Sequence, residues 1–171
     1  MEKTEDMEMR AVCFTGHRII GRDLDEEKLD YFLHRLAEIG YGTFICGGAL
    51  GFDTLVAEKV IRLRKEFPHI RLHMYLPCRN QDSKWSFFDR RRYKRILDSA
   101  DDVVVMAESY YDGCMRARNY KMVDDADLCM CYLNNDQRSG TAQTVRYAIK
   151  KMVSVINVAT DGDRILKELK K

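Results

Sequence analysis

What the sequence lacks narrows its class first. Glycine numbers 10 and proline 2 among 171 residues, too few for a collagen or a proline-rich disordered chain. No apolar run approaches the roughly 20 residues that cross a bilayer, so no membrane partner is expected. The opening MEKTEDMEMR is charged and lacks a signal peptide's apolar core, which sets a cytoplasmic expectation. Neither sign of charge is in excess: 29 Lys and Arg stand against 27 Asp and Glu, a formal +2. Bulk electrostatics therefore demands no polyanion, although a local basic patch is compatible with it. Metal-ligand spacings are missing too. The six cysteines (Cys13, Cys46, Cys78, Cys114, Cys129, Cys131) contain no C-x-x-C pair, and four lie within or at the ends of apolar strand-like runs. Cys129 and Cys131 would share a strand face without zinc-knuckle spacing. They read as buried reduced thiols, with no metal and no certain cofactor.

What is present describes one folded domain over 1–171, with a core at 10–158, a short N-terminal tail and a C-terminal helix. Hydrophobic residues at 46% and charged residues at 33% suit a soluble globular chain. Short apolar runs at 10–14, 43–46, 70–76, 102–106, 128–133 and 153–158 read as strands covered on both faces. Helical patterns separate them. Leu29, Phe32, Leu33 and Leu36 form the first, stopped at Gly40. The second carries Leu55, Val56, Val60, Ile61 and Leu63. Phe88, Tyr93, Ile96 and Leu97 mark a third, and Met115, Met122, Val123 and Ala126 a fourth. Val145, Ala148, Ile149 and Met152 mark a fifth, and a terminal helix is expected from about Asp163. Alternation of this kind predicts an α/β, Rossmann-like doubly wound domain, with a mostly parallel sheet of about six strands and helices on both faces. Ligands of such folds bind beyond the carboxyl ends of the strands.

Three strand ends carry polar chemistry. The first is Thr15-Gly16-His17-Arg18, where glycine admits a ligand beside a hydroxyl, an imidazole and a guanidinium. The second is Gly47-Gly48-Ala49-Leu50-Gly51-Phe52-Asp53, running from strand into helix. Its backbone N–H groups and helix N-terminus suit a phosphate, although neither G-x-G-x-x-G nor a P-loop lysine is present. A side chain at Gly48 is expected to block the ligand and spare the fold. Asp53 reads either as a helix cap through the N–H of Leu55 or Val56 or as an acceptor for a ribose or base. The third runs from Asn134 to Thr141, where Ser139 or Thr141 can cap the next helix and Gly140 opens its N-terminus to an anion.

A fourth element belongs to the expected cleft. On a helix beginning near Lys84, Trp85, Phe88, Tyr93 and Ile96 would form the buried stripe. Arg92, about 40° from both Phe88 and Ile96 at 100° per residue, falls within it and would need an anion or a salt bridge. The following helix offers Arg116, Arg118 and Asn119 near its start.

In these motifs the sequence resembles the SLOG superfamily of Rossmann-like proteins, most closely its YpsA-like branch. The resemblance rests on Cys13 to Arg18, on the Cys-Gly-Gly-Ala-x-Gly-x-Asp of Cys46 to Asp53, and on Arg92-Tyr93. It continues through Arg118-Asn119 with Met122-Val123-Asp124, and through Ser139-Gly140-Thr141. It implies a nucleotide or nucleotide-derived ligand at the Gly-Gly loop. Thr15, Gly16, His17, Arg18, Gly47, Gly48, Ala49, Gly51, Asp53, Arg92, Asn119, Ser139, Gly140 and Thr141 are then the expected ligand-binding set. More distant members are the LOG phosphoribohydrolases, the DprA-type proteins that bind single-stranded DNA, and molybdenum-cofactor carriers. The LOG motif Pro-Gly-Gly-x-Gly-Thr-x-x-Glu ends in a catalytic glutamate. Thr144 stands there in this chain, so the LOG activity is not expected.

The expected function is recognition of a small nucleotide-like ligand, with a sensor role in view. A hydrolase using Asp53 or His17 is the alternative from another class. Single-stranded nucleic-acid binding through Arg79, Lys84, Arg90, Arg91, Lys94 and Arg95, with Trp85 or Tyr93 for stacking, is the third reading. Near-neutral charge and burial of the aromatic stripe count against that third reading. The sequence leaves homo-oligomer formation open.

Overall fold

The computed structural model describes residues 9–161 and 164. Six strands and five helices alternate: β1 (Arg10–Gly16), α1 (Glu26–Glu38), β2 (Tyr41–Cys46), α2 (Phe52–Leu63), β3 (Arg71–Leu76), α3 (Phe87–Ser99), β4 (Asp102–Val105), α4 (Cys114–Asp124), β5 (Leu128–Tyr132), α5 (Gly140–Lys150) and β6 (Ser154–Asn157). All strand pairings are parallel, in the order β4-β3-β2-β1-β5-β6. This is the Rossmann-like doubly wound architecture that the alternation predicts. The terminal helix expected from Asp163 lies outside the described residues. Among the described residues no helix is long and apolar enough to cross a membrane.

Period-2 alternation along the strands sorts side chains into two cores. Val12, Phe14, Phe44, Leu72, Met74 and Met130 face α1, α2 and α3, where Leu29, Phe32, Val56, Val60 and Ile96 meet them. Ala11, Cys13, Ile45, Tyr75 and Cys129 face the opposite layer, against Met122 and Val123 of α4 and Ala148 of α5. All six cysteines are buried and free, as the sequence predicts.

Two expected stripes are displaced. The third helix starts at Phe87, capped by Ser86, whose hydroxyl accepts the Asp89 N–H at 3.1 Å. Its buried positions are Tyr93 and Ile96, while Phe88 is 80% exposed. The capping serine begins the helix later than the apolar pattern suggests and turns Phe88 outward. On α5, Thr141, Ala142, Thr144 and Ala148 form the buried face, and Ile149 and Met152 lie in solvent. Small and hydroxyl-bearing residues do the packing on that face.

The strand order sets the position of the cleft. Connections from β1 step outward through β2 and β3 to β4, and α4 then returns the chain to β5 on the other side of β1. The direction of winding reverses between β1 and β5, where a parallel sheet opens a crevice at its carboxyl edge.

Candidate functional site

At that crevice, Thr15, His17, Arg18, Ala49, Asp53, Asn119, Ser139, Gly140 and Thr141 line one cavity of about 280 Å³, together with Met115 and Arg118. Nine of the expected residues therefore meet, drawn from the ends of β1, β2 and β5 and from the starts of α2, α4 and α5. Helix N-termini gather at this edge of any parallel α/β sheet, because each helix begins where a strand ends.

The β1 end is held by its neighbours. The His17 carbonyl accepts the Phe52 N–H at 3.1 Å, which joins the β1 turn to the start of α2. The imidazole Nε2 of His17 accepts the Asn134 N–H at 3.1 Å, which engages the ring with the backbone of the β5 end. Arg18 is exposed at the cavity mouth.

The glycines of the second strand end serve the fold rather than the cavity wall. A β-carbon on Gly51 would stand 2.2 Å from the Arg18 carbonyl oxygen, and the residue has φ +85°. Only glycine permits this approach of two loops. Gly48, at φ +71°, packs beneath Gln81, Tyr93 and Met74, so a side chain there would meet those groups and not a ligand. The expectation that Gly48 could be changed without harm to the fold is thereby corrected. Gly47 lies under the Arg118 guanidinium and Gly16 under the Phe52 ring, each too close for a β-carbon.

Asp53 is not the cap of α2. The N-cap is Gly51, without a side-chain hydrogen bond, and Asp53 lies inside the first turn. One carboxylate oxygen, Oδ2, accepts the Ala49 N–H at 3.3 Å, while Oδ1 is buried without a partner. Burial pushes this carboxyl up to about 6, against the opposing pull of Arg118, the Ala49 N–H and Arg18.

Arg118, although part of the Arg118-Asn119 motif, is absent from the set expected to bind ligand, yet it is the most buried cation of the site at 3% exposure. Its Nη1 donates to the carbonyls of Gly47 and Tyr75, the latter at 3.2 Å, and its Nε donates to Asn119 Oδ1 at 2.7 Å. Only the Met115 thioether, a weak acceptor at 3.7 Å, receives Nη2. The signal in the sequence was a pair of arginines, Arg116 and Arg118, within the first two turns of α4, of which the second is the buried one.

Arg92 departs from expectation. It lies between α3 and α2, where its Nε and Nη2 meet Glu58 at 2.6 and 2.8 Å, and it is outside the cavity. A carboxylate one helix away satisfies it, so no ligand anion is required. At the β5 end, Ser139 caps α5 by accepting the Ala142 N–H at 3.1 Å. The N–H groups of Gly140 and Thr141 precede the first intrahelical bonds and point out of the helix start. Gly140 has open space where a β-carbon would be. Thr144 donates its hydroxyl to the Gly140 carbonyl at 2.8 Å, a bond within α5.

A second cavity of about 450 Å³ adjoins the first across His17 and Arg18, walled by Ile19, Gly21, Asp23, Tyr132 and Asn134. The Tyr132 hydroxyl donates to Asp23 at 2.5 Å and accepts the Gly21 N–H at 2.9 Å, which ties the β1–α1 loop over this side.

Comparison with known proteins agrees with this architecture. The YpsA family, described as the YspA SLOG family, matches residues 24–160. A UPF0398 protein of Halalkalibacterium halodurans is 30% identical over 118 residues, covering 68% of this chain and 62% of that protein. The uncharacterized SPbeta prophage-derived protein YoqJ of Bacillus subtilis is 31% identical over 119 residues, covering 63% of this chain and 69% of that protein. The chain thus spans less than two thirds of the first of these relatives. Among solved structures, DNA processing protein A from Helicobacter pylori, a protein with a single-stranded DNA binding mode, superposes with a TM-score of 0.61. That match has 19% identity and covers 93% of this chain and 81% of the other, a likeness of fold.

Proposed function

The chain belongs to the YspA SLOG family, and from that premise we propose that its cleft binds a nucleotide or a nucleotide-derived small molecule. The observation that carries the reading is the buried Asp53 Oδ1, unpartnered beside a buried guanidinium in a cavity at the sheet's switch point. An orphan acceptor of this kind costs roughly 1–3 kcal/mol, which a donor on a ligand would recover. A ribose hydroxyl is such a donor. The phosphate is assigned to Arg18, to Nη2 of Arg118 and to the N–H groups that open α5, where the helix dipole favours an anion. The adjoining cavity beside Ile19 and Tyr132 offers an apolar wall for the base.

Native mass spectrometry of freshly purified protein, followed by thermal shift with AMP, ADP, NAD and ADP-ribose, tests the reading. A true ligand at a hundred times its Kd adds about 2.7 kcal/mol of stability. Arg118→Met should abolish that gain, and Asp53→Asn should weaken binding roughly tenfold or more through loss of a charged acceptor. Failure of every nucleotide to stabilise the parent would refute the proposal.

One observation favours the hydrolase alternative: a carboxyl at about 6 is suited to general acid–base work near neutrality. The binding reading predicts no free base released from AMP. Turnover that vanishes in Asp53→Asn would replace it with catalysis by that carboxyl.

A further inference from the structure

The small net charge conceals a polarised distribution. Positions 79–95 hold seven basic residues (Arg79, Lys84, Arg90, Arg91, Arg92, Lys94 and Arg95) and two acidic ones (Asp82 and Asp89), a local +5. With +2 overall, the remainder of the chain carries −3. Helix α3 turns most of this charge to solvent. Four of the cations hold carboxylates: Arg79 with Glu108, Arg90 with Asp82, Arg92 with Glu58 and Lys94 with Asp98. Arg91 and Arg95 have no ion pair among the described residues, and Arg91 lies over the Phe87 ring at 5.6 Å from its centroid.

The same helix holds two aromatic rings in water. Phe87 is 66% and Phe88 80% exposed, and the rings meet edge to face with centroids 5.7 Å apart. Folding does not explain them, since α3 packs through Tyr93 and Ile96. A groove of about 420 Å³ runs beside Phe87, and one of about 500 Å³ beside Phe88. Arg91 borders both, and Arg95 the second.

We propose that this face of α3 binds single-stranded nucleic acid, with bases stacking on Phe87 and Phe88 and phosphates passing Arg91 and Arg95. Rings beside unpaired guanidinium groups are what an unpaired strand needs, because its base faces are free to stack and its backbone is anionic. A duplex hides its base faces from side chains on a helix surface. An acidic peptide would match the charge but brings no planar rings to the phenylalanines. Arg91 and Arg95 stand one helical turn apart, about 6 Å along the axis, within reach of neighbouring phosphates. Of the stripe expected to be buried, Phe88 alone turns outward; Tyr93 stays buried and packs edge to face with Trp85 at 5.1 Å, so those two are not the stacking pair. No residue of this face lines the cleft, so the proposal stands apart from the nucleotide reading.

Fluorescence anisotropy with a labelled oligothymidylate, which forms no duplex, tests it. Two neutralised phosphates give a log–log salt slope of about −1.4, close to a sevenfold loss of affinity between 50 and 200 mM salt. The double variant Phe87→Ala/Phe88→Ala should bind at least about tenfold more weakly with the slope unchanged. Arg91→Gln/Arg95→Gln should flatten the slope. All four side chains are exposed, so unchanged melting temperatures are expected to accompany both variants. No binding by the parent at about 50 mM salt, or parent-like binding by both variants, would overturn the proposal. So would competition by saturating AMP, which would locate the strand in the cleft. Loss of a dimer in the phenylalanine variant, with oligonucleotide affinity kept, would make the face a self-association surface instead.

Discussion

Asp53 couples the site to stability through one proton. Burial raises its carboxyl from 3.8 to about 6 in the folded protein, so between those values the fold holds more protons than the unfolded chain. Stability from this group is therefore full below about pH 4 and is lost as pH rises through about 6. At 1.36 kcal/mol per unit the loss is about 3 kcal/mol above pH 6. Asp53→Asn, a neutral shape-match, should melt several degrees higher than the parent near pH 7.5 and no higher near pH 4. Thermal melts across that range decide it, and a parent that is the more stable at pH 7.5 would refute the sign. Retention of a costly carboxylate is the pattern expected of a group kept for a ligand.

At the scale of elements, all six strands and five helices were legible because parallel strands leave continuous apolar runs and helices leave a 3.6-residue spacing. What those patterns could not show was rotation. Phe88 faces solvent because Ser86 starts α3 two residues after Lys84, and Ile149 does so because Thr141, Ala142, Thr144 and Ala148 occupy the close contact. The candidate site was legible as loops, since glycine and hydroxyl residues at strand ends converge by topology alone. Arg118 escaped because its place depends on α4 crossing the sheet, and Arg92 misled because its Glu58 partner lies 34 residues away. Two glycines separate fold from ligand. Gly51→Ala meets the Arg18 carbonyl at positive φ and should cost about 3 kcal/mol by urea unfolding. Gly140→Ala enters open space and should melt within about a degree or two of the parent while weakening nucleotide binding. A destabilised Gly140→Ala would contradict that assignment.

Over the whole molecule, all six free thiols are buried and none lies at the surface. A hydrogen bond donated by the Cys13 thiol to Cys129, together with burial, raises Cys13, while burial raises Cys46, Cys78 and Cys131. A thiol reagent should therefore find no fast-reacting group in the native protein and six after denaturation, with native labelling slowed roughly 10³-fold or more. A single thiol reacting at once would show a local opening that the packing does not provide.

The place of β1 in the sheet has a consequence in time. It leaves the ribosome first among the strands, yet its second neighbour is β5, and its Ala11 N–H reaches an acceptor on Asp127, 116 residues later. At about 5–20 residues per second, that partner follows roughly 6–23 s behind. Throughout that interval the strand destined for the centre of the sheet has one open side, lined by Val12, Cys13 and Phe14. Nascent chains halted before β5 should accordingly be protease-sensitive and prone to aggregate, and the cleft at the carboxyl edge can form only once synthesis has reached α5.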